Sequence, residues 1–196
     1  LDPLCQSQSN ACKIWDKKFL DLIENEYVLQ EVESILGDDV LVDSTTLSIQ
    51  WPGHMPFGPH VDRPFVDEGD EWPYSVKNMK LPSVDYPLSI QVLFLLDNFT
   101  AANGAFYYIP EGFDEGAGGR KYPQYEQDKY PSNANPQLVT ASVGSAIFAH
   151  GSAWHGAATN FFPRPRIAFL VQYVPRFIRP GRRFPYMMLS GIKRNM

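Results

Sequence analysis

A chain of 196 residues with 44% hydrophobic and 14% aromatic content is long enough for one domain with a sizeable core, and too apolar to be disordered. A net charge of −5 argues against general nucleic-acid binding, and the longest apolar runs, VLFLL and IAFLV, are far too short to span a bilayer. The 17 Pro and 14 Gly favour short strands and many turns over long helices.

The N-terminus LDPLCQSQSN has no basic head followed by an apolar stretch, so no signal peptide is expected in it. A start at Leu1 fits a processed form or an excised domain, and the default expectation is a soluble, cytoplasmic protein. Cys5 and Cys12 are the only cysteines; two do not make a disulfide framework, and free thiols are expected. From Lys13 to Leu36 the pattern is helical, with Val28, Leu29, Val32, Ile35 and Leu36 at three- and four-residue spacing and Gly37 as the stop. Val40 to Trp51 is rich in β-branched residues, with Leu47, Ile49 and Trp51 alternating with polar neighbours, and reads as a strand that Pro52-Gly53 ends.

His60 to Asp62 reads as a short strand, whose residues at i and i+2 point to one face. Long irregular stretches follow at Arg63–Pro87 and Glu111–Pro136; loops of that length in a compact domain are usually lids or insertions. Between and after them lie strand candidates at Leu88–Leu96, Ala105–Ile109, Gln137–Ala141, Ser145–His150 and Arg166–Val174. Helices followed by many short strands predict an all-β sandwich or barrel with N-terminal helical packing. No repeat or linker divides the chain, so a single domain over 1–196 is expected, with its core at about 38–180 and a helical segment at about 13–37.

All 22 acidic residues lie at or before Asp128, and from Lys129 onward there are nine Lys and Arg and no acid. Two explanations fit. The basic half meets acidic surface from the other half, or part of it faces an anionic ligand.

The chemistry-bearing residues are few. The four His form two pairs, His54 with His60 and His150 with His155. His60, Asp62 and His155 supply two imidazoles and one carboxylate, the ligands of a mononuclear non-haem Fe(II) site with open positions. Arg166, eleven residues beyond His155, offers a planar cation suited to a dicarboxylate cosubstrate. His54 and His150 are alternative nitrogen ligands or rim residues. Arg164 competes with Arg166 but sits between two prolines, whereas Arg166 opens a strand with Ala168 and Leu170 on its face.

These residues sit in an ordered series: a helix ending ILGDD, a strand ending at Gln50 before PG, His60-Val61-Asp62, LFLLDNFTAANGAFYYIPEGF, GSAIFAHGSAWHGAATN and RPRIAFLVQYVPRF. The series resembles the phytanoyl-CoA dioxygenase family of Fe(II)- and 2-oxoglutarate-dependent oxygenases, from about Asp21 to about Pro180. It departs from the family pattern at Glu111, where Gly is frequent, at Ser145, where Asp is common, and at Ala157, where a small hydroxyl residue is frequent. The resemblance implies a double-stranded β-helix, or jelly roll, with the N-terminal helices packed outside.

It also implies Fe(II) on His60, Asp62 and His155, and 2-oxoglutarate anchored by Arg166 with Gln50 or Gln91 as polar helpers. O₂ takes the last position, and the products are succinate, CO₂ and a hydroxylated small molecule. The Asp62 carboxylate favours hydroxylation over halogenation; desaturation, ring closure and a non-catalytic metal-binding sensor are the competing outcomes. The long loops, with Trp72, Tyr74, Lys77, Arg120 and Tyr122, and the basic run Arg176, Arg179, Arg182 and Arg183 are where substrate choice is expected.

Overall fold

The computed structural model describes residues 9–10, 17–53, 62, 87–110, 135–151 and 153–178. Cys5, Cys12, His54, His60, both long loops, and Arg179, Arg182 and Arg183 lie outside them.

The expected single helical stretch is two helices, α1 (Lys17–Ile23) and α2 (Glu26–Leu36). The break is chemical. Asn25 adopts an extended backbone, and its side chain accepts a hydrogen bond from the Val28 amide at 3.2 Å, so it caps the second helix instead of continuing the first. Gly37 ends α2 at φ 88°, as expected.

The strands are β1 (Ser9–Asn10), β2 (Val40–Gln50), β3 (Ile90–Leu95), β4 (Phe106–Ile109), β5 (Gln137–Leu138), β6 (Ala146–His150), β7 (Trp154–Ala157) and β8 (Arg166–Pro175). They form two antiparallel sheets, one ordered β1-β2-β8-β3-β6 and the other β5-β4-β7. Trp51 falls just outside β2 and is exposed. The Gln137–Ala141 strand stops early because the chain changes partner, pairing with β4 at Leu138 and bridging to Phe99 at Ala141. Strand β7 was not among the expected strands; its WHGA text is too short for a periodicity to show.

Register sorts the large sheet into two faces, since directly paired residues share a face. One face carries Val42, Ile90, Val92, Phe94, Phe169, Val171 and Tyr173 and packs under both helices through Ile23, Val28, Leu29 and Val32. Phe19 reaches Phe169 at a ring-centroid distance of 4.9 Å, and the Tyr173 hydroxyl donates to the Ile23 carbonyl at 2.8 Å. The other face carries Leu93, Leu95, Ile147, Ala149, Ala168 and Leu170 and meets Phe106 of the small sheet. A bulge between Val42 and Ser44 resets β2, so that Ser44, Thr46, Ser48 and Gln50 pair with Gln172, Leu170, Ala168 and Arg166 on this second face. It is this face, turned toward the small sheet, that bears the chemistry.

Candidate active site

His155 is carried by the small sheet. In β7 it pairs with Tyr108 and shares its face with Ala157 and, through β4, with Phe106. Phe106 belongs to the apolar cluster between the sheets, so this face looks at the large sheet. The His155 ring stacks on Phe106 at 5.4 Å with 25° between planes. Its Nδ1 lies 2.9 Å from the Ala153 carbonyl, which can only accept. In a neutral ring the proton would sit on Nδ1, which makes Nε2 the nitrogen suited to a metal.

Nε2 stands near Asp62. The distance from His155 Nε2 to Asp62 Oδ2 is 3.7 Å, with the two side chains 4% and 19% exposed. The spacing is too long for a hydrogen bond. It suits two ligands of one metal, which with bonds of about 2.1 Å lie roughly 3–4.2 Å apart. Among the described residues no group of three or more His, Cys, Asp or Glu is gathered; the third expected ligand, His60, lies outside them.

Gln91 comes from the large sheet, on the face of Leu93 and Leu95. Expected as a helper for the cosubstrate, it donates from Nε2 to Asp62 Oδ2 at 2.6 Å and to Gln172 Oε1 at 3.4 Å. Gln172 is its register partner on β8. It lies six residues beyond Arg166 on the same face, and strand alternation carried two residues past Leu170 would have found it. His150 pairs with Ile90, which places it on the helix-packed face, away from Gln91.

At the other end of β8, Arg166 opens the strand and is 3% exposed. Its Nη2 donates to the Gly104 carbonyl at 2.6 Å, and its guanidinium lies 4.3 Å from the centroid of the Phe99 ring. Among the described residues its buried Nε has no hydrogen-bond partner. Burial pushes its pKa down to about 10, with Asp97 pulling it partly back, so at neutral pH it is still a cation. Asp97 does not bond to it; its Oδ2 accepts from the Ile167 amide at 2.9 Å. Arg164, the rival, is exposed and stands 5.6 Å from the Phe162 ring.

Gln50, directly across from Arg166, is buried, and its Cγ packs where a Gly104 Cβ would stand, 2.8 Å away. Gly104 has φ +79°, and the Ala158 carbonyl approaches the same point to 2.8 Å, so only glycine fits. Sequence reasoning passed over Asn160. Fully buried, it donates through Nδ2 to the carbonyls of Gln50 at 2.7 Å and Arg164 at 2.9 Å, and its Oδ1 accepts from the Phe162 amide at 2.9 Å. It ties the end of β2 to the turn that delivers Arg166. Its only signal was an Asn opening a Pro-rich turn.

The charge asymmetry resolves residue by residue. Arg176 meets acidic surface, its Nε bonding Asp39 Oδ1 at 2.5 Å, whereas Arg166 has no bonded carboxylate among the described residues. No helix among the described residues is long and apolar enough to cross a membrane.

The family model for phytanoyl-CoA dioxygenase (PhyH) matches residues 6–168. Dioxygenase af480 of Aspergillus fumigatus (strain ATCC MYA-4609 / CBS 101355 / FGSC A1100 / Af293) is 28% identical over 160 residues, which cover 81% of this chain and 45% of that protein. The chain thus spans about half the length of this curated relative. Apo HygX from Streptomyces hygroscopicus superposes with a TM-score of 0.65 at 13% identity, over 89% of this chain and 74% of HygX. HygX with nickel and 2-oxoglutarate bound gives 0.60 at 14%, over 89% and 72%. At these identities the structural likeness is one of fold. The family match over most of the sequence makes this chain a member of the phytanoyl-CoA dioxygenase (PhyH) family of Fe(II)- and 2-oxoglutarate-dependent oxygenases.

Proposed function

We propose that this chain is a single double-stranded β-helix domain, its helices packed outside, that uses Fe(II), 2-oxoglutarate and O₂ to hydroxylate a C–H bond of a small molecule. One observation carries the reading. Asp62 and His155, far apart in sequence, are brought to 3.7 Å, a carboxylate and an imidazole nitrogen at the spacing of two ligands of one metal.

In this reading His60, Asp62 and His155 hold the iron. Iron and the keto acid together would supply the oxidising power, by coupling O₂ reduction to decarboxylation of 2-oxoglutarate to succinate and CO₂. The chain does the rest. The Ala153 carbonyl keeps the His155 proton on Nδ1, and Phe106 holds the ring in plane. Arg166 is a buried cation with an open Nε, and burying a charge without a counter-ion is costly, which supports its role as anchor for the far carboxylate of 2-oxoglutarate. Gln50 flanks that anchor. The bound nickel and 2-oxoglutarate in HygX, a protein of like fold, support the same pairing of groups. The Asp62 carboxylate would take the place on the metal that a halide would otherwise need, which favours hydroxylation.

The test begins without oxygen. Fe(II) plus 2-oxoglutarate should give a weak visible charge-transfer band, and admitting O₂ should bleach it and release succinate. A metabolite screen scored by succinate then finds the substrate, and product mass separates hydroxylation from chlorination. Metal uptake with no succinate in any screen would make the protein a sensor instead.

A further inference from the structure

Gln91 and Gln172 form an amide pair that the iron and cosubstrate reading leaves without a task. The carboxylate fixes the orientation of both. The Gln91 atom 2.6 Å from Asp62 Oδ2 is its NH₂, which donates to the carboxylate. That NH₂ has a second hydrogen, and it points at Gln172 Oε1, 3.4 Å away. Gln172 is 8% exposed, pinned in the middle of β8 by paired strands on both sides. A lone glutamine beside a carboxylate is free to present its oxygen instead, which would repel Asp62. An acceptor behind it favours the donating orientation.

We infer that Gln91 and Gln172 are positioning residues for the metal: Gln172 takes the second hydrogen of the Gln91 amide and so reinforces the flip that Asp62 sets, and Gln91 holds Asp62 Oδ2 toward His155. The inference rests on Asp62 and His155 being metal ligands, as proposed above. It assigns Gln91 to the carboxylate instead of the cosubstrate. Partners that orient a metal ligand through a hydrogen bond typically contribute about 10–100-fold to metal affinity.

The experiment titrates the full chain with Co(II), anaerobically, by calorimetry and by the visible ligand-field spectrum. Metal-free thermal melting reports whether each variant is folded. Gln91→Leu, of similar length, should weaken Co(II) by about 10–100-fold and change the ligand-field band at saturation, since the untethered carboxylate rotates. Gln172→Leu should do the same to a smaller degree, and its effect should vanish in the Gln91→Leu background. Gln172→Glu keeps an acceptor behind Gln91 and should bind Co(II) at least as tightly as the wild type.

Wild-type uptake matched by an unchanged affinity and spectrum in Gln91→Leu overturns this inference alone. So does a Gln172→Glu chain that fails as badly as Gln172→Leu. A wild-type chain that takes up no Co(II) overturns the metal-site reading and this inference with it. Should Gln91→Leu not fold, the two Gln172 variants carry the same decision.

Discussion

Replacing Asn160 with alanine should destabilise the chain more than almost any other single polar change. The side chain has no solvent exposure and makes three hydrogen bonds, at 2.7, 2.9 and 2.9 Å, to Gln50, Arg164 and Phe162. Arg164 and Phe162 lie in an exposed turn, so their freed groups recover water, leaving a net loss of about 0.5–1.5 kcal/mol for that pair. Gln50 is buried, and its carbonyl loses a donor that water does not readily replace, a cost of about 1–3 kcal/mol. The sum is roughly 2–4 kcal/mol, equivalent to a melting temperature lower by roughly 5–15 °C for a chain of this size. Urea denaturation of the metal-free protein measures it. Asn160→Asp keeps the acceptor for Phe162 but sets a carboxylate against two carbonyls, and should be no better than alanine. A loss under about 0.5 kcal/mol would mean the turn is held by its backbone bonds and not by this amide.

Gly104→Ala would put a methyl 2.8 Å from the Ala158 carbonyl at a φ of +79°, and should cost roughly 2–4 kcal/mol in denaturation while weakening 2-oxoglutarate binding, because Gly104 O orients Arg166. Burial raises Tyr173 far above the ordinary phenol range, so as pH climbs past about 10 the unfolded chain releases this proton first and stability falls. Tyr173→Phe should lose about 1 kcal/mol at neutral pH with the bond to Ile23, and its stability should decline less steeply between pH 9 and 11. Arg166→Met removes a buried charge at similar volume: the metal-free chain should be as stable or more so, whereas 2-oxoglutarate affinity by calorimetry should fall at least about tenfold. Unchanged affinity would mean that another cation holds the cosubstrate.

The strands of the large sheet were legible because their composition and periodicity act locally. Val40–Gln50, Ile90–Leu95 and Arg166–Pro175 each begin and end within two residues of the stretches read in the sequence. The ligand candidates were legible because few residue types bind iron and the chain has only four His. What stayed hidden depends on contacts across the fold. Asn25 looked like one more helical residue until its side chain capped α2. Gln91 carried a polar signal, but its partner is a carboxylate 29 positions upstream, a distance no local pattern encodes. Gly104 was visible in an Asn-Gly-Ala segment, yet the reason for it is a Gln50 methylene and an Ala158 carbonyl arriving from other parts of the chain.

The apolar cluster between the sheets explains why the two halves of the site depend on one another. Phe106 and Phe99 belong to the same cluster, with Leu93, Leu95, Ala105, Ala149 and Ala168. Phe106 backs the His155 ring, and Phe99 backs the Arg166 guanidinium. Neither the imidazole nor the cation is oriented by its own strand alone; each leans on an aromatic that is fixed only when the two sheets close. Sheet packing and assembly of the site are therefore one event. Interior packing tolerates little gap, so a cavity opened at Leu93 or Leu95 should loosen the imidazole and the guanidinium together. A Leu95→Ala chain that lost affinity for metal but kept its affinity for 2-oxoglutarate would show that the two ends are held separately.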